Sequence, residues 1–330
     1  MSHSYAEKWM PKILEIVTAR SYTSPFMVPA SDIGFYNAKT FHFTTIAMSG
    51  YKEHSRDGSW NKGTITSADV TFTLQHDRDI EFFVDKRDVD ETNLALAMQN
   101  LTARFTATQQ VPEQDALFFE RVTKAATTAS LSSETDIATV TPENVLEYLK
   151  KLTRRGNIGL YKPLTKFVIY VRPEIMDALE LCKEFNRIID VTKIGGNGLD
   201  TRITSWNNFT IVEVEDLSRF YSEYDYADGF KPKSSTAKQL NAVVCSPYTV
   251  KTINKIATIL VFEPGEHTQG DGFLYQDRRH FDTIILPNGD GKVDSIAVDM
   301  HNEAHGVSAV SEPSVQRATP QVPTGVVMPK

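Results

Sequence analysis

The sequence predicts a mixed α+β protein built on an extended hairpin that runs into a long helical stretch. Three observations lead there. Asp69-Val70-Thr71-Phe72-Thr73-Leu74 is apolar at every second position, and the period continues through Ile80, Phe82 and Val84, as in a strand with one face covered. At Thr92-Asn93 the period turns helical: Leu94, Met98, Leu101 and Phe105 share a stripe that Ala97 fills. From Lys166 onward short apolar runs alternate with helix starts, a strand–helix–strand texture.

The totals bound the class. Of 330 residues, 41% are hydrophobic and 23% charged, a globular composition long enough for one large core or two modest ones. A formal net charge of −7 argues against a protein whose task is to neutralise phosphates. Cys182 and Cys245 sit among apolar neighbours, which excludes a disulfide framework and fits buried thiols in a reducing cytosol. No apolar run approaches the roughly eighteen residues of a membrane span, and the first residues lack a signal-peptide core.

Residues 4–20 predict a short amphipathic helix, with Tyr5, Trp9, Ile13, Leu14 and Val17 along one side and Pro11 forcing a break or a late start. That stripe either docks on its own domain or is kept for another surface. Residues 21–34, with Pro25 and Pro29, form an extended connector. Ala38 to Met48 alternates Phe41 and Phe43 with His42 and Thr44, a strand that can pair with 69–84. Between the two strands lies 49–63, polar, punctuated by glycine and too long for a tight turn. It holds Lys52, Arg56 and Lys62, and also Trp60, a large apolar surface in polar company. A lone hairpin is marginal in water, so something outside it must hold it, and tryptophan is enriched where partners meet.

The second strand carries an excess of acid. Asp77, Asp79, Glu81, Asp85, Asp88 and Asp90 face only Arg78, Lys86 and Arg87, so the ribbon is expected to draw bases from elsewhere, with Lys151, Arg154 and Arg155 as candidates. Val111-Pro112-Glu113 restarts a second helix, with proline and acid where unbonded N–H groups favour them. Leu117, Phe118, Phe119 and Val122 give it an aromatic face. Thr127 to Val140 is a small-residue linker, and Thr141-Pro142-Glu143-Asn144 opens another helix through Val145, Tyr148, Leu149 and Leu152. Lys150, Lys151, Arg154 and Arg155 suit the C-terminal dipole of that helix better than they suit nucleic acid on an acidic chain. Gly156 stops it.

Phe167 to Val171, Ile188 to Val191, Phe209 to Val214 and Leu240 to Cys245 then predict strands. Pro173 begins a helix carrying Ile175, Leu179 and Cys182, and Pro247 begins another through Ile253. Residues 221–238 are a polar loop, Ala257 to Phe262 is a strand, and Phe273 to Leu286 with Val293 to Val298 predicts a hairpin. Residues 301–330 have no period and predict a tail.

Tempting sites fail on spacing. Asn288 to Asp294 imitates the middle of a calcium loop, but Leu286 and Ala297 stand where its end ligands belong, so a turn is expected. His301, Glu303 and His305 miss the zinc-protease spacing, and Gly195-Gly196-Asn197-Gly198 misses the phosphate-binding one. No nucleophile–base signature appears; the expectation is a non-enzyme without cofactor or metal.

The early hairpin, the junction Asp88-Val89-Asp90-Glu91-Thr92-Asn93, the helix after it, and Thr108-Gln109-Gln110-Val111-Pro112-Glu113-Gln114-Asp115 with its aromatics together resemble the major capsid (major head) protein of tailed phages. The likeness is greatest to short capsid proteins from phages of Gram-positive bacteria. It spans roughly residues 1–300 and is strongest at 69–126. The resemblance implies the Hong Kong phage type of capsid fold. Its parts would be an N-arm at 1–34, an E-loop hairpin at 35–88, a peripheral domain with a spine helix at 89–165, an axial domain at 166–256, return strands of the peripheral domain at 257–300 and a C-terminal tail at 301–330.

The resemblance also implies a structural function: hexameric and pentameric capsomers of this chain closing an icosahedral head around the genome. The implied location is the virion, after assembly in the bacterial cytoplasm. Portal and scaffolding proteins are the implied partners; with no long acidic leader before the N-arm, the scaffold is either separately encoded or already removed. DNA would be enclosed without specific binding, behind a mildly acidic wall, and no membrane is involved. Assembly contacts are expected at Trp9, Lys52, Arg56, Trp60 and Lys62, along Asp77, Asp79, Glu81 and Asp85, and at Lys151, Arg154 and Arg155. Some relatives crosslink through lysine, but Lys52 and Lys62 have no matching acceptor here. An encapsulin-type compartment shares the fold and differs in its contents. A monomeric α+β hydrolase is the alternative from another class, and the missing catalytic signature counts against it.

Overall fold

The computed structural model describes residues 21–29, 40–54, 60–87, 98–182, 190–191, 203–266, 270–288 and 291–305. Trp9 and its helix, Arg56, the 88–93 junction, the 195–198 turn and the tail beyond His305 lie outside these residues.

A long helix organises the rest. It is made of α1 (Met98–Phe105) and α2 (Val111–Thr128), and the expected break between them does not occur. Instead Thr106–Gln110 forms a π-helical turn, with the Val111 N–H bonded to the Thr106 carbonyl and helical backbone angles at Phe105, Gln110 and Val111. Pro112 has no N–H to give, and the wider turn carries the helix past that missing donor.

The N-terminal part of α2 lies on a four-stranded sheet ordered β1-β13-β14-β4, with β1 Met27–Pro29, β4 His76–Asp85, β13 Val250–Phe262 and β14 Gly272–Ile285. Val111, Ile259 and Tyr275 are buried between them, with Phe82, Val84 and Val261 packed alongside. The rest of α2 covers one face of a seven-stranded sheet. Its order is β5-β15-β12-β6-β9-β8-β7, with β5 Ser132–Glu134, β6 Phe167–Val171, β7 Asp190–Val191, β8 Ile203–Trp206, β9 Phe209–Glu213, β12 Lys238–Cys245 and β15 Ala297–Ala304. Every residue of the central β6 is buried. Phe167, Ile169 and Val171 face helices α3 (Val145–Thr153) and α4 (Pro173–Leu181), whereas Val168 and Tyr170 face Phe118, Phe119 and Val122 of α2. A strand covered on both sides is apolar throughout.

Four expectations are corrected. The strand expected over 69–84 is two strands: β3 (Ile65–Thr73) pairs with β2 (Thr40–Met48), and β4 pairs with β14. The chain changes partner at Leu74, buried against Ile253 and Ile284, and at Gln75, whose N–H donates to the Asp282 carboxylate at 3.0 Å. The helix expected from Pro247 is a turn that leads into β13, because Val250, Thr252 and Ile253 are needed in the core. The late hairpin is absent: β14 stays in the four-stranded sheet, while β15 enters the seven-stranded one between β12 and β5. Between them Asn288 caps a turn, its Oδ1 accepting the Lys292 N–H at 2.9 Å. Finally, the 127–140 linker contains β5, which pairs in parallel with β15.

Candidate assembly surfaces

Strands β2 and β3 form a two-stranded sheet that shares no ladder with the other sheets. Side-chain bonds across it include Thr44 to Asp69 at 2.7 Å and Thr71 to His42 at 3.0 Å. Beyond the strands, Lys52 Nζ donates to the Lys62 carbonyl at 3.2 Å, and Ser49 and Thr64 close the ladder. Met48 stands opposite Ile65, with Ile46 two residues away on the same face. These three side chains are exposed, as are Tyr51 and Trp60, and Trp60 is 92% exposed. The distal hairpin thus carries an apolar stripe and two aromatics that its own fold does not cover.

The hairpin root, by contrast, is pinned. Asp282 is almost fully buried; it accepts the Gln75 N–H and takes Arg121 Nε of α2 at 2.9 Å. One residue further, His76 meets Glu113 of α2 at 2.9 Å, and Arg78 meets the same carboxylate at 2.9 Å. The direction of the hairpin is therefore referred to the long helix.

Along β4, Asp77, Asp79, Glu81 and Asp85 point outward from an edge strand. Part of the expected charge deficit is met inside the chain. Arg278 of β14 pairs with Asp77 at 2.8 Å, and this carboxylate raises the guanidinium pKa; Gln276 donates to Glu81 at 2.6 Å. Lys151 pairs with Glu147 at 2.8 Å and holds its carboxyl below the usual range. Arg154 caps α3 in solvent, and Arg155 is half-buried.

Two buried carboxylates matter that the pattern reading missed. Asp115 of α2 is fully buried and binds the turn at Ser21 to Thr23 that leads into β1. Ser21 Oγ and Thr23 Oγ1 each donate to its Oδ1 at 2.7 Å, the Tyr22 N–H donates to Oδ2 at 3.2 Å, and Arg219 Nη1 reaches Oδ2 at 3.2 Å. Burial pushes this carboxyl above its ordinary range, against the pull of Arg219, Ser21 and Thr23. Its position four after Val111 and four before Phe119 puts it on the buried stripe, which was the available signal. Asp299 of β15 accepts from Thr135, Tyr148 and Asn241, each at 2.9 Å, and from Ser133, tying four elements together. Among the described residues no cluster of His, Cys, Asp and Glu is built to hold a metal ion.

No protein-family model matches the sequence, and no curated protein matches it. Solved structures do match. The capsid of the cyanophage P-SCSP1u superposes with a TM-score of 0.55 at 12% identity, over 84% of this chain and 87% of that chain. The mature capsid of bacteriophage PhiM1 gives 0.55 at 12% identity, over 87% and 86%. A chain from Mycobacterium phage Ogopogo gives 0.52 at 12% identity, over 86% and 92%.

Proposed function

Because the chain has the capsid fold of tailed phages, we propose that it is a shell protein. Many copies associate into capsomers and close an icosahedral head around a phage genome. The observation that carries this is the hairpin: a pinned root and a distal half whose exposed Ile46, Met48, Trp60 and Ile65 need a cover the subunit does not supply. Isolated apolar side chains on a surface are ordinary, but a contiguous stripe on a projecting two-stranded sheet is a contact surface.

Assembly on this reading is association without covalent chemistry. Lys52, Arg56 and Lys62 flank the hairpin contact, and the acids of β4 with Lys151, Arg154 and Arg155 form a weaker rim, since exposed pairs contribute about 0–1 kcal/mol each. Portal and scaffolding proteins are the further partners, and the net charge of −7 suits a wall that encloses DNA without gripping it. Phage particles assembled in a bacterial host are its setting.

Replacing residues 50–63 by an Asn-Gly turn tests the proposal. The core around Phe118 and Phe119 is untouched, so a soluble, cooperatively folding subunit is expected, and electron microscopy should find no closed shells. Normal particles from this variant would refute the role of the hairpin.

A further inference from the structure

One end of the seven-stranded sheet carries a face that the fold leaves both apolar and positive. β6, β9 and β15 begin there and β12 ends there, with Phe167 opposite Phe209, Val168 opposite Cys245 and Ala297 opposite Val244. The short helix Ile158–Tyr161 continues as a turn, in which the Leu164 N–H donates to the Tyr161 carbonyl at 2.9 Å. Leu160 and Leu164, four residues apart, therefore share a side, and both are exposed. Thr165 Oγ1 meets Ser246 Oγ at 2.9 Å, and Ser246 Oγ accepts the Tyr248 N–H at 3.2 Å, which brings the exposed Tyr248 to the same place.

The charge here is one-sided. Residues 148–173 contain seven cations and no acid, in a chain whose net charge is −7. Lys162 lies between the two leucines in sequence, Lys166 follows them, and Arg154 and Arg155 border them at the end of α3. Lys151 and Arg172 pair with Glu147 and Glu174, but among the described residues no acid pairs with Lys162, Lys166, Arg154 or Arg155. Asp294 is buried and takes neutral donors from this segment, Asn157 Nδ2 at 2.7 Å and the Tyr161 hydroxyl at 3.3 Å. Around the start of β12, at the other end of the sheet, Lys231, Lys233 and Lys238 are instead held by Asp228, Glu223 and Glu134.

We propose that this face docks an acidic amphipathic segment of another protein, its apolar side on Leu160, Leu164 and Tyr248 and its carboxylates on Lys162 and Lys166. The contact goes beyond the shell function and does not depend on it. Both halves of the chemistry select that occupant. A nucleic-acid backbone would use the cations and leave the leucines in water. An uncharged apolar partner would cover the leucines and strand the ammonium groups beside them. Among the described residues a second copy of the chain matches less well: the hairpin stripe is flanked by Lys52 and Lys62, and the outward acids of β4 bring Phe83 alone. Adjoining apolar side chains rimmed by charge mark contact sites, and tyrosine is enriched among residues that carry binding energy. Lys162 is already placed, its Nζ 5.3 Å from the centre of the Phe209 ring, which lowers the cost of ordering it on binding.

The test titrates the full chain against a labelled peptide of roughly 20 residues, leucine at every third or fourth position and glutamate between, and follows fluorescence anisotropy. Saturable binding is expected, at least about tenfold tighter than to polyglutamate or duplex DNA of similar length. Leu160→Ser with Leu164→Ser should weaken it at least about tenfold, and Lys166→Glu severalfold, at unchanged melting temperature because these side chains are exposed. Added salt should weaken binding to the parent chain more than to Lys166→Glu. No saturable binding, equal binding of polyglutamate or DNA, or binding untouched by the leucine pair would overturn the inference. So would a changed association state of the leucine pair in sedimentation, which would assign the face to a contact between copies. Shells absent while the peptide still binds would remove the shell function and leave this inference standing. Normal shells from a chain that binds no peptide would do the reverse.

Discussion

Asp115→Asn is the substitution whose cost the structure sets best. The carboxylate is 0% exposed and receives four donors from Ser21, Tyr22 and Thr23, with Arg219 as a fifth. Asparagine has the same shape, so packing is kept. Its oxygen can retain the two hydroxyls now on Oδ1, but its NH₂ then stands where Oδ2 accepted the Tyr22 amide and Arg219. Two donors are left facing a donor. A buried unsatisfied donor costs about 1–3 kcal/mol, and breaking a buried ion pair costs about 3–5 kcal/mol. Arg219 keeps Asp216 at 2.6 Å and is 14% exposed, which holds the loss to the low end, about 3 kcal/mol. Urea unfolding should show a lower midpoint with an unchanged slope, and hydrogen exchange should accelerate at the Tyr22 amide, whose acceptor is Oδ2. A loss below about 1 kcal/mol, or unaltered exchange at that amide, would refute Asp115 as the anchor of the N-terminal segment.

Two further outcomes follow from single residues. Gly156→Ala should destabilise the subunit by at least about 2 kcal/mol, measured by the same unfolding curves, because Gly156 has φ +55° and a Cβ there would lie 2.4 Å from the Asp294 carbonyl oxygen; a near-neutral result would show that the turn can open freely. The Cys245 thiol is fully buried and its pKa is pushed well up by that burial. At pH 8 it should therefore react with a thiol reagent only as fast as the protein unfolds, by peptide mass spectrometry, and rapid labelling of the native chain would contradict the packing around it.

What could be read in advance depends on what periodicity encodes. The strand β6 was legible as a continuous apolar run, and the aromatic face of α2 because side chains three and four apart share one side of a helix. The hairpin was legible because 49–63 is too polar to fold and too long to turn. Partner choice was not. The period of two falls in phase on both sides of the polar run Gln75 to Asp79, so the same alternation fits one strand or two, and only the pairing shows β2 exchanged for β14 at Leu74 and Gln75. Asp115 was visible as a charge on an apolar stripe, but its partner Arg219 lies 104 residues away, a separation that local pattern does not report. Pro112 signals a restart in isolation; a π turn absorbs it only because Val111 and its neighbours are held on the sheet below.

The position of β15 decides when the subunit can finish folding. It fills the slot between β12 and β5, it carries Asp299, and its Val298 and Met300 complete the layer beneath Phe118 and Phe119. A ribosome must therefore add residue 300 before the central sheet has all its strands, and β5 waits about 160 residues for its mate. Long-range pairing of this kind is slow, and until it happens β12 presents an open edge that any neighbouring chain can enter. The aggregation hazard of this protein thus falls on copies still being synthesised, and it ends abruptly when β15 closes the gap.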